Sequence, residues 1–176
     1  AFYYYKAQWS NDDFIHLTGK RYVDRAYPVM DVRAYSNLPK AFLQINGSTP
    51  IETACPGGIC IWKDVALKSG PNQVMVAAGT TDHGMPVQLD DTATFNGPEP
   101  AKDGIHLDAG DIAGRLLGKR RFGSDSFVSG GTPAILNQGG FGGRGAPRRN
   151  VTAPDAVLYD YWREGEAFSY AIPVPD

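Results

Sequence analysis

Cysteine, histidine and methionine are scarce in this sequence, with two, three and three residues among 176. The histidines occur singly and the cysteines have no second pair of ligands nearby, so a zinc site cannot be completed, and we expect no metal and no cofactor. No apolar run approaches the ~20 residues needed to span a bilayer, and no secretory leader is visible. An excess of one charge is also lacking, since 17 basic residues stand beside 19 acidic ones. We therefore expect neither a membrane nor a nucleic-acid partner.

Glycine and proline, by contrast, are abundant, with 21 and 13 residues, and they divide the chain into short elements. Apolar and polar residues alternate with period two over 29–35 and 41–45, and further strands are indicated at 61–67 and 73–78. Asn46–Gly47 gives the strongest hairpin signal, because both residues tolerate a positive φ. The pattern predicts an all-β fold whose first part is an immunoglobulin-like antiparallel β-sandwich.

The length exceeds that of a common single domain, which favours two modules. We predict an aromatic start and connecting loop over 1–27, with the loop at 12–27, a sandwich over 28–97 and a second module over 98–176. Residues 82–102 are interpreted as a last strand and a linker. In the second module, strands are indicated at 105–108 and 167–172. Glycines at 140–145 spell a dinucleotide fingerprint by letter only, because neither a strand nor a convincing helix flanks them.

The two cysteines flank a Pro-Gly-Gly turn, as Cys55-Pro56-Gly57-Gly58-Ile59-Cys60. Such a turn can bring both side chains within disulfide reach, so a Cys55–Cys60 bridge is favoured, with free buried thiols as the alternative. A bridge would indicate an exported protein, periplasmic or extracellular.

Carboxylate pairs suited to glycoside hydrolysis are few. Such chemistry needs two carboxyl groups that face one sugar. Glu164 and Glu166 could share one strand face, but paired acids on a strand are more often solvated. We expect no catalytic residue in this chain.

Aromatic side chains offer a different chemistry, because sugars present apolar ring faces to aromatic rings and hydroxyls to polar groups. Trp9, Tyr159, Tyr161 and Trp162 are therefore candidate carbohydrate-binding residues. For the last three the alternative stays open, since aromatic residues on both faces of a strand can simply cover a sheet.

The start of the chain resembles a known enzyme family. Residues 2–9, Phe-Tyr-Tyr-Tyr-Lys-Ala-Gln-Trp, resemble the Tyr-x-Tyr-Lys-Ser-x-Trp stretch that closes the catalytic barrel in β-galactosidase-like members of glycoside hydrolase family 2. Residues 31–37 and 41–47 are similar to the segments that open the following sandwich domain. The resemblance covers about the first hundred residues and departs from the family pattern at Ala7 and at 48–50.

This resemblance implies that residues 1–27 end a catalytic barrel, that the catalytic carboxylates lie upstream of Ala1, and that the barrel is a partner of this region. It also implies that Trp9 stands at the rim of the barrel pocket with Lys6 nearby, which makes both residues carbohydrate-binding candidates. The alternative is that residues 2–9 only pack barrel against sandwich.

The second module resembles the front half of a malectin-type carbohydrate-binding domain, a jelly roll of the galactose-binding kind. The similar segments are 105–110, 123–131 and 159–176. The resemblance implies a partial jelly roll, and both termini of the chain resemble interior positions of longer family members.

The sequence therefore supports two alternative functions. The first is a non-catalytic accessory fragment of a β-galactosidase-like glycoside hydrolase, with a structural and carbohydrate-binding role. The second is a free-standing carbohydrate-binding or adhesion module, in which the aromatic start is an edge strand.

Overall fold

The computed structural model describes residues 2–82, 85–99, 102, 104–135 and 156–174. The chain divides into two compact units, residues 1–99 and residues 100–174. Strands dominate both units, which confirms the predicted all-β fold class.

The first unit contains two antiparallel sheets. One has the order β1-β2-β5 and the other the order β4-β3-β6-β7. The strands are β1 (Ile15–Leu17), β2 (Val29–Ser36), β3 (Lys40–Ile45), β4 (Ile51–Ala54), β5 (Ile59–Ala66), β6 (Gly70–Asp82) and β7 (Met85–Gly97).

The core of this unit follows from the period-two alternation, because alternate residues of a strand point to opposite faces of its sheet. Leu17, Val32 and Ala34 come from the first sheet and are fully buried. Leu43, Val74, Val76 and Phe95 belong to the second sheet and are fully buried as well. Burial of one large apolar side chain contributes about 1.5–3 kcal/mol. The packing of these residues therefore stabilises the contact between the two sheets.

The turn predicted at Asn46–Gly47 is present between β3 and β4. Both residues have positive φ, 51° and 76°, and the N–H of Ser48 donates to the carbonyl of Ile45 at 2.8 Å. A buried amide supports the neighbouring turn, since Asn72 accepts from the N–H of Lys68 at 3.0 Å and from Asn46 Nδ2 at 3.0 Å.

Several boundaries predicted from sequence were wrong. Residues 12–27 are not a continuous loop, because β1 pairs with the C-terminal half of β2. Strand β4 was missed, since residues 51–54 face solvent at a sheet edge and show no buried alternation. The strand predicted at 73–78 extends over Gly70–Asp82, and its partner β7 occupies Met85–Gly97, where a linker was expected in part.

The second unit has a three-stranded and a two-stranded sheet among its described residues. Its strands are β8 (His106–Leu107), β9 (Arg115–Leu117), β10 (Arg120–Gly123), β11 (Val128–Ile135) and β12 (Tyr161–Tyr170). β10 pairs antiparallel with β9 and parallel with β8, and β11 pairs antiparallel with β12. The strand predicted at 167–172 begins earlier, at Tyr161, and ends at Tyr170. The glycine fingerprint at 140–145 lies outside the described residues.

Candidate functional site: an aromatic helix and a polar strand pair

The aromatic start forms a short helix, α1 (Phe2–Trp9), so its interpretation as an edge strand was wrong. Ala7 is its buried residue, and the surrounding aromatic side chains are largely exposed. Helix α1 therefore rests on the sandwich through a small residue and presents aromatic rings to solvent.

Two aromatic contacts hold the N-terminal half of α1. The ring of Tyr3 stacks on His16 of β1, with centroids 3.5 Å apart and planes 13° apart. The ring of Tyr4 meets Tyr35 of β2 edge-on at 5.9 Å. Both partners lie on the first sheet, so the helix is attached to the strand pair β1–β2.

The sequence-predicted candidates Lys6 and Trp9 lie on the C-terminal half of α1. Trp9 is 75% exposed and stacks against Tyr5, with centroids 5.1 Å apart. The ammonium group of Lys6 lies 4.7 Å from the centroid of the Phe14 ring. The two candidates thus contact different rings, and the Trp9 indole leaves most of its surface open to solvent.

A charged cluster lies beneath the Tyr3 ring. Asp91 Oδ2 accepts from the N–H of Leu17 at 2.9 Å and lies 3.2 Å from His16 Nδ1, while Oδ1 pairs with Lys20. Burial lowers the pKa of His16 below its ordinary value, and the attraction of Asp91 offsets this only in part. The lowered pKa favours the neutral form of the imidazole that stacks on Tyr3.

Cys55 and Cys60 are joined by a disulfide. Both half-cystines are buried, and they close a loop that contains Gly57 and Gly58. The side-chain amide of Gln8 on α1 donates to the carbonyl of Gly57 at 2.5 Å. The cysteines thus lie beside the helix that bears Lys6 and Trp9.

The candidates of the second unit do not share one surface. Tyr159 ends a short 3-10 helix (Ala156–Tyr159) and is 48% exposed, whereas Tyr161 lies beneath the Arg115 guanidinium, 5.0 Å from its ring centroid. Trp162 is half-buried, and its indole N–H donates to Glu164 Oε2 at 3.0 Å. Adjacent residues of a strand face opposite sides, so Tyr161 and Trp162 cannot form one platform.

Glu164 and Glu166, considered above as a carboxylate pair, are both exposed on β12. In the ranges that the structure describes, no group of three or more His, Cys, Asp or Glu residues is arranged to hold a metal ion. Across those same ranges no helix is long and apolar enough to cross a bilayer.

Sequence reasoning missed a buried ionic network in the second unit. Arg163 donates to Asp125 Oδ2 from Nε at 2.9 Å and from Nη2 at 2.6 Å, and its Nη1 donates to the carbonyls of Gly130 and Gly131. Tyr170 donates its hydroxyl to Asp125 Oδ1 at 2.6 Å. Burial alone would raise the pKa of Asp125, but the hydrogen bonds from Arg163 and Tyr170 hold it below its ordinary value.

A second network surrounds Arg115. Its Nη2 donates to Asp111 Oδ2 at 2.6 Å, its Nη1 donates to the carbonyl of Val157 at 3.0 Å, and its Nε lies 2.7 Å from Asp108 Oδ2. Burial raises the pKa of Asp108, which the charge of Arg115 offsets only in part. Burial would also raise the pKa of Asp111, but the N–H of Ala113 and the guanidinium of Arg115 lower it.

The first network joins β12 to the loop between β10 and β11, and the second joins the segment before β12 to β9 and to the loop before it. In each network a carboxylate accepts from a guanidinium. Their chemistry is that of structural cross-links, since charge-assisted hydrogen bonds between a guanidinium and a carboxylate are strong and hold both side chains in place. The one sequence signal was the presence of Asp and Arg in otherwise glycine-rich stretches, and nothing in the spacing assigns the partners.

Fold and site together define an all-β region whose first unit carries a short helix with exposed aromatic rings. No family model matches the chain. A β-glucuronidase of Bacteroides fragilis is 37% identical over 78 residues, which make up 43% of this chain and 11% of that protein. The chain thus spans about a tenth of the length of this curated relative.

Solved structures agree in fold. A β-glucuronidase of Bacteroides uniformis matches with a TM-score of 0.55 and 17% identity, over 76% of this chain and 18% of that chain. A calcium-binding mutant of Bacteroides uniformis β-glucuronidase 2 matches with a TM-score of 0.58 and 18% identity, over 76% and 19%. The resemblance to an accessory region of a glycoside hydrolase family 2 enzyme is therefore confirmed.

Proposed function

We propose that this chain is a non-catalytic accessory region of a glycoside hydrolase that acts on β-linked glucuronides or galactosides. The observation that carries the proposal is the two-sided environment of α1. Its inner side contacts the sandwich through Ala7, Tyr3 and Tyr4, and its outer side exposes Trp9 and Phe2 at 75% and 70%.

The exposed aromatic surface indicates a partner. Contiguous apolar surface on a folded protein commonly marks an interaction site. The catalytic barrel of a glycoside hydrolase is the partner that we propose, because the 37% identical relative is a β-glucuronidase many times longer than its matched segment. In this arrangement α1 joins the barrel to the sandwich.

Lys6 and Trp9 would then contribute to sugar recognition at the barrel rim. An indole ring packs against the apolar face of a pyranose, and an ammonium group pairs with a hydroxyl or with the carboxylate of a uronic acid. The stacking of Tyr5 on Trp9 supports this role, since it fixes the orientation of the indole.

The second unit is proposed as a malectin-like carbohydrate-binding module. Trp162 and Glu164 support the assignment, because their 3.0 Å hydrogen bond places a carboxylate acceptor beside an aromatic ring. Tyr159 offers an exposed ring next to the start of β12. Tyr161 is the weaker candidate, since its ring packs against Arg115.

The absence of catalysis is proposed on the geometry of the carboxylates. A retaining or inverting glycosidase needs two carboxyl groups that face one bound sugar. Glu164 and Glu166 are exposed, and Glu164 already accepts from Trp162. The buried carboxylates Asp125 and Asp111 are engaged by arginines.

Export to the periplasm or the extracellular space is also proposed. Its support is the buried Cys55–Cys60 disulfide, because structural disulfides persist mainly in oxidising compartments.

The deciding experiment combines an intact mass with activity and binding assays on the 176-residue chain. We expect a mass near 19.0 kDa, no turnover of chromogenic β-glucuronides or β-galactosides, and saturable binding of glucuronic acid or galactose by calorimetry. Turnover that is lost in Glu164→Gln but kept in Glu166→Gln would overturn the non-catalytic assignment. A chain that binds neither sugar would overturn the carbohydrate-binding role.

A further inference from the structure

The Cys55–Cys60 loop, residues 55–60, lies directly against the buried side of α1. A Cβ placed on Gly58 would lie 2.8 Å from the Cβ of Ala7 and 2.9 Å from Nε2 of Gln8. The same Nε2 donates to the carbonyl of Gly57 at 2.5 Å. Helix and loop therefore approach so closely that no side chain fits between them.

The backbone of the loop makes this approach possible. Gly57 and Gly58 both have positive φ, 58° and 76°, which is the left-handed region that glycine adopts without a steric penalty. Gly57 contacts the helix through its carbonyl, but only at Gly58 would a side chain point at the helix, since a Cβ on Gly57 would meet nothing within 4 Å. The two glycines thus share a backbone conformation but differ in contact.

The loop is anchored to both sheets. The N–H of Cys55 donates to the carbonyl of Pro39, the residue before β3, at 2.9 Å, and Cys60 pairs with Ala34 of β2. Cys60 is fully buried, and its disulfide to Cys55 closes the loop. A loop fixed at both ends is a rigid support for whatever rests on it.

The two halves of α1 are held by different contacts. Tyr3 and Tyr4 attach the N-terminal half to β1 and β2. The loop contacts Ala7 and Gln8, which lie between the two candidates Lys6 and Trp9. Together with the contact of Lys6 with the Phe14 ring, the loop contacts therefore set the position of the C-terminal half.

We infer that the Cys55–Cys60 loop is a positioning element for the Lys6 and Trp9 side chains, with Gly58 and Gln8 as the residues through which it acts. The sugar-related part of this inference rests on the proposed function, whereas the placement of α1 does not. Loss of the loop contact frees the C-terminal half of α1 while the sandwich stays folded.

The test compares Gly58→Ala with Gly57→Ala. Both substitutions strain a left-handed residue, but only the first inserts a methyl group against α1, so the second is a matched control. We expect amide hydrogen exchange in the last turn of α1 to become about tenfold faster in Gly58→Ala and to stay within about twofold in Gly57→Ala. Gln8→Met removes the loop hydrogen bond without altering the sandwich and should shift exchange in the same direction.

Sugar binding gives the second readout. If the wild-type chain binds glucuronic acid or galactose, Gly58→Ala and Gln8→Met should weaken the affinity about tenfold, and Gly57→Ala should not. A wild-type chain that binds neither sugar counts against the proposed function alone, and the exchange data still decide the placement of α1.

Removal of the disulfide is an independent test of whether the loop positions α1. Cys55→Ala combined with Cys60→Ala should accelerate exchange in α1 while β2 and β3 keep their protection. Wild-type exchange of α1 in both Gly58→Ala and Gln8→Met, or equal effects of Gly57→Ala and Gly58→Ala, would overturn the inference. Loss of protection across the whole sandwich in the double variant would also overturn it for the disulfide.

Discussion

Arg163 and Asp125 form a buried pair in which two guanidinium nitrogens, Nε and Nη2, donate to a single carboxylate oxygen at 2.9 and 2.6 Å. The side chains are 8% and 2% exposed. Asp125→Asn removes the charge that faces Arg163 and leaves a buried cation without its counter-ion. We expect the melting temperature of the second unit to fall by roughly 5 °C or more, measured by calorimetry. Glu166→Gln, an exposed substitution on the same sheet, should leave it unchanged, and equal effects of the two would contradict a structural role for the pair.

The stability of the first unit should depend on pH through His16. Its pKa in the folded chain lies below the ordinary value of 6.5, so the unfolded chain binds the proton more readily. The contribution of His16 to the free energy of unfolding is therefore fully present above pH 6.5 and is lost as the pH drops below 6.5 toward the folded pKa. Urea titrations between pH 8 and pH 5 should show this loss, and His16→Phe, which keeps a ring beneath Tyr3, should flatten it. A slope that is unchanged in His16→Phe would assign the loss to other groups.

Gly97 at the end of β7 packs against the backbone of Lys68. A Cβ at this position would overlap the Lys68 carbonyl oxygen and lie 3.2 Å from the Cβ of Leu67. We expect Gly97→Ala to lower the free energy of unfolding by about 1–3 kcal/mol. Gly79→Ala in β6 is the control, because a Cβ there meets nothing within 4 Å and the change should be within about 0.5 kcal/mol. Chemical denaturation of both variants measures the difference.

The proposed sugar contacts can be separated between the two units. If the rim contact on α1 dominates, Trp9→Ala should weaken glucuronic acid or galactose binding by about tenfold or more, as truncation of a binding hot spot does. Trp162→Ala should then have little effect, whereas the reverse order would assign binding to β12. Calorimetric titration of both variants distinguishes the outcomes, and thermal melts show that each variant is folded. An affinity equal to that of the wild-type chain in both variants would show that neither tryptophan contributes to sugar binding.

Local sequence patterns were sufficient to predict a strand where that strand is long and one of its faces is buried. The alternation over 29–35 and 41–45 predicted β2 and β3 nearly to the residue, and Asn46–Gly47 predicted the turn after β3. Patterns failed where a strand is short or has no buried residue. β1 has three residues, and β4 lies at an exposed sheet edge, so neither gives a periodic signal.

Helix α1 shows a different limit. Tyrosine, phenylalanine and tryptophan have modest helix propensity, and eight residues are too few for a helix to be stable alone. Tertiary contact decides the conformation, because Ala7 packs on Gly58 and the ring of Tyr3 stacks on His16. The sequence marked Lys6 and Trp9 as candidates but could not show that one helix bears both.

By itself, the amino-acid sequence determined the fold class, the two main strands of the sandwich, the hairpin turn and the resemblance to a glycoside hydrolase accessory region. These depend on residue type and on spacing within a few positions of the chain. Only the tertiary structure decided the pairing of Arg163 with Asp125 and the support of α1 by the Cys55–Cys60 loop. Such relationships join residues 38 or 49 positions apart, and no local preference encodes which distant group will satisfy a buried charge or fill a contact surface.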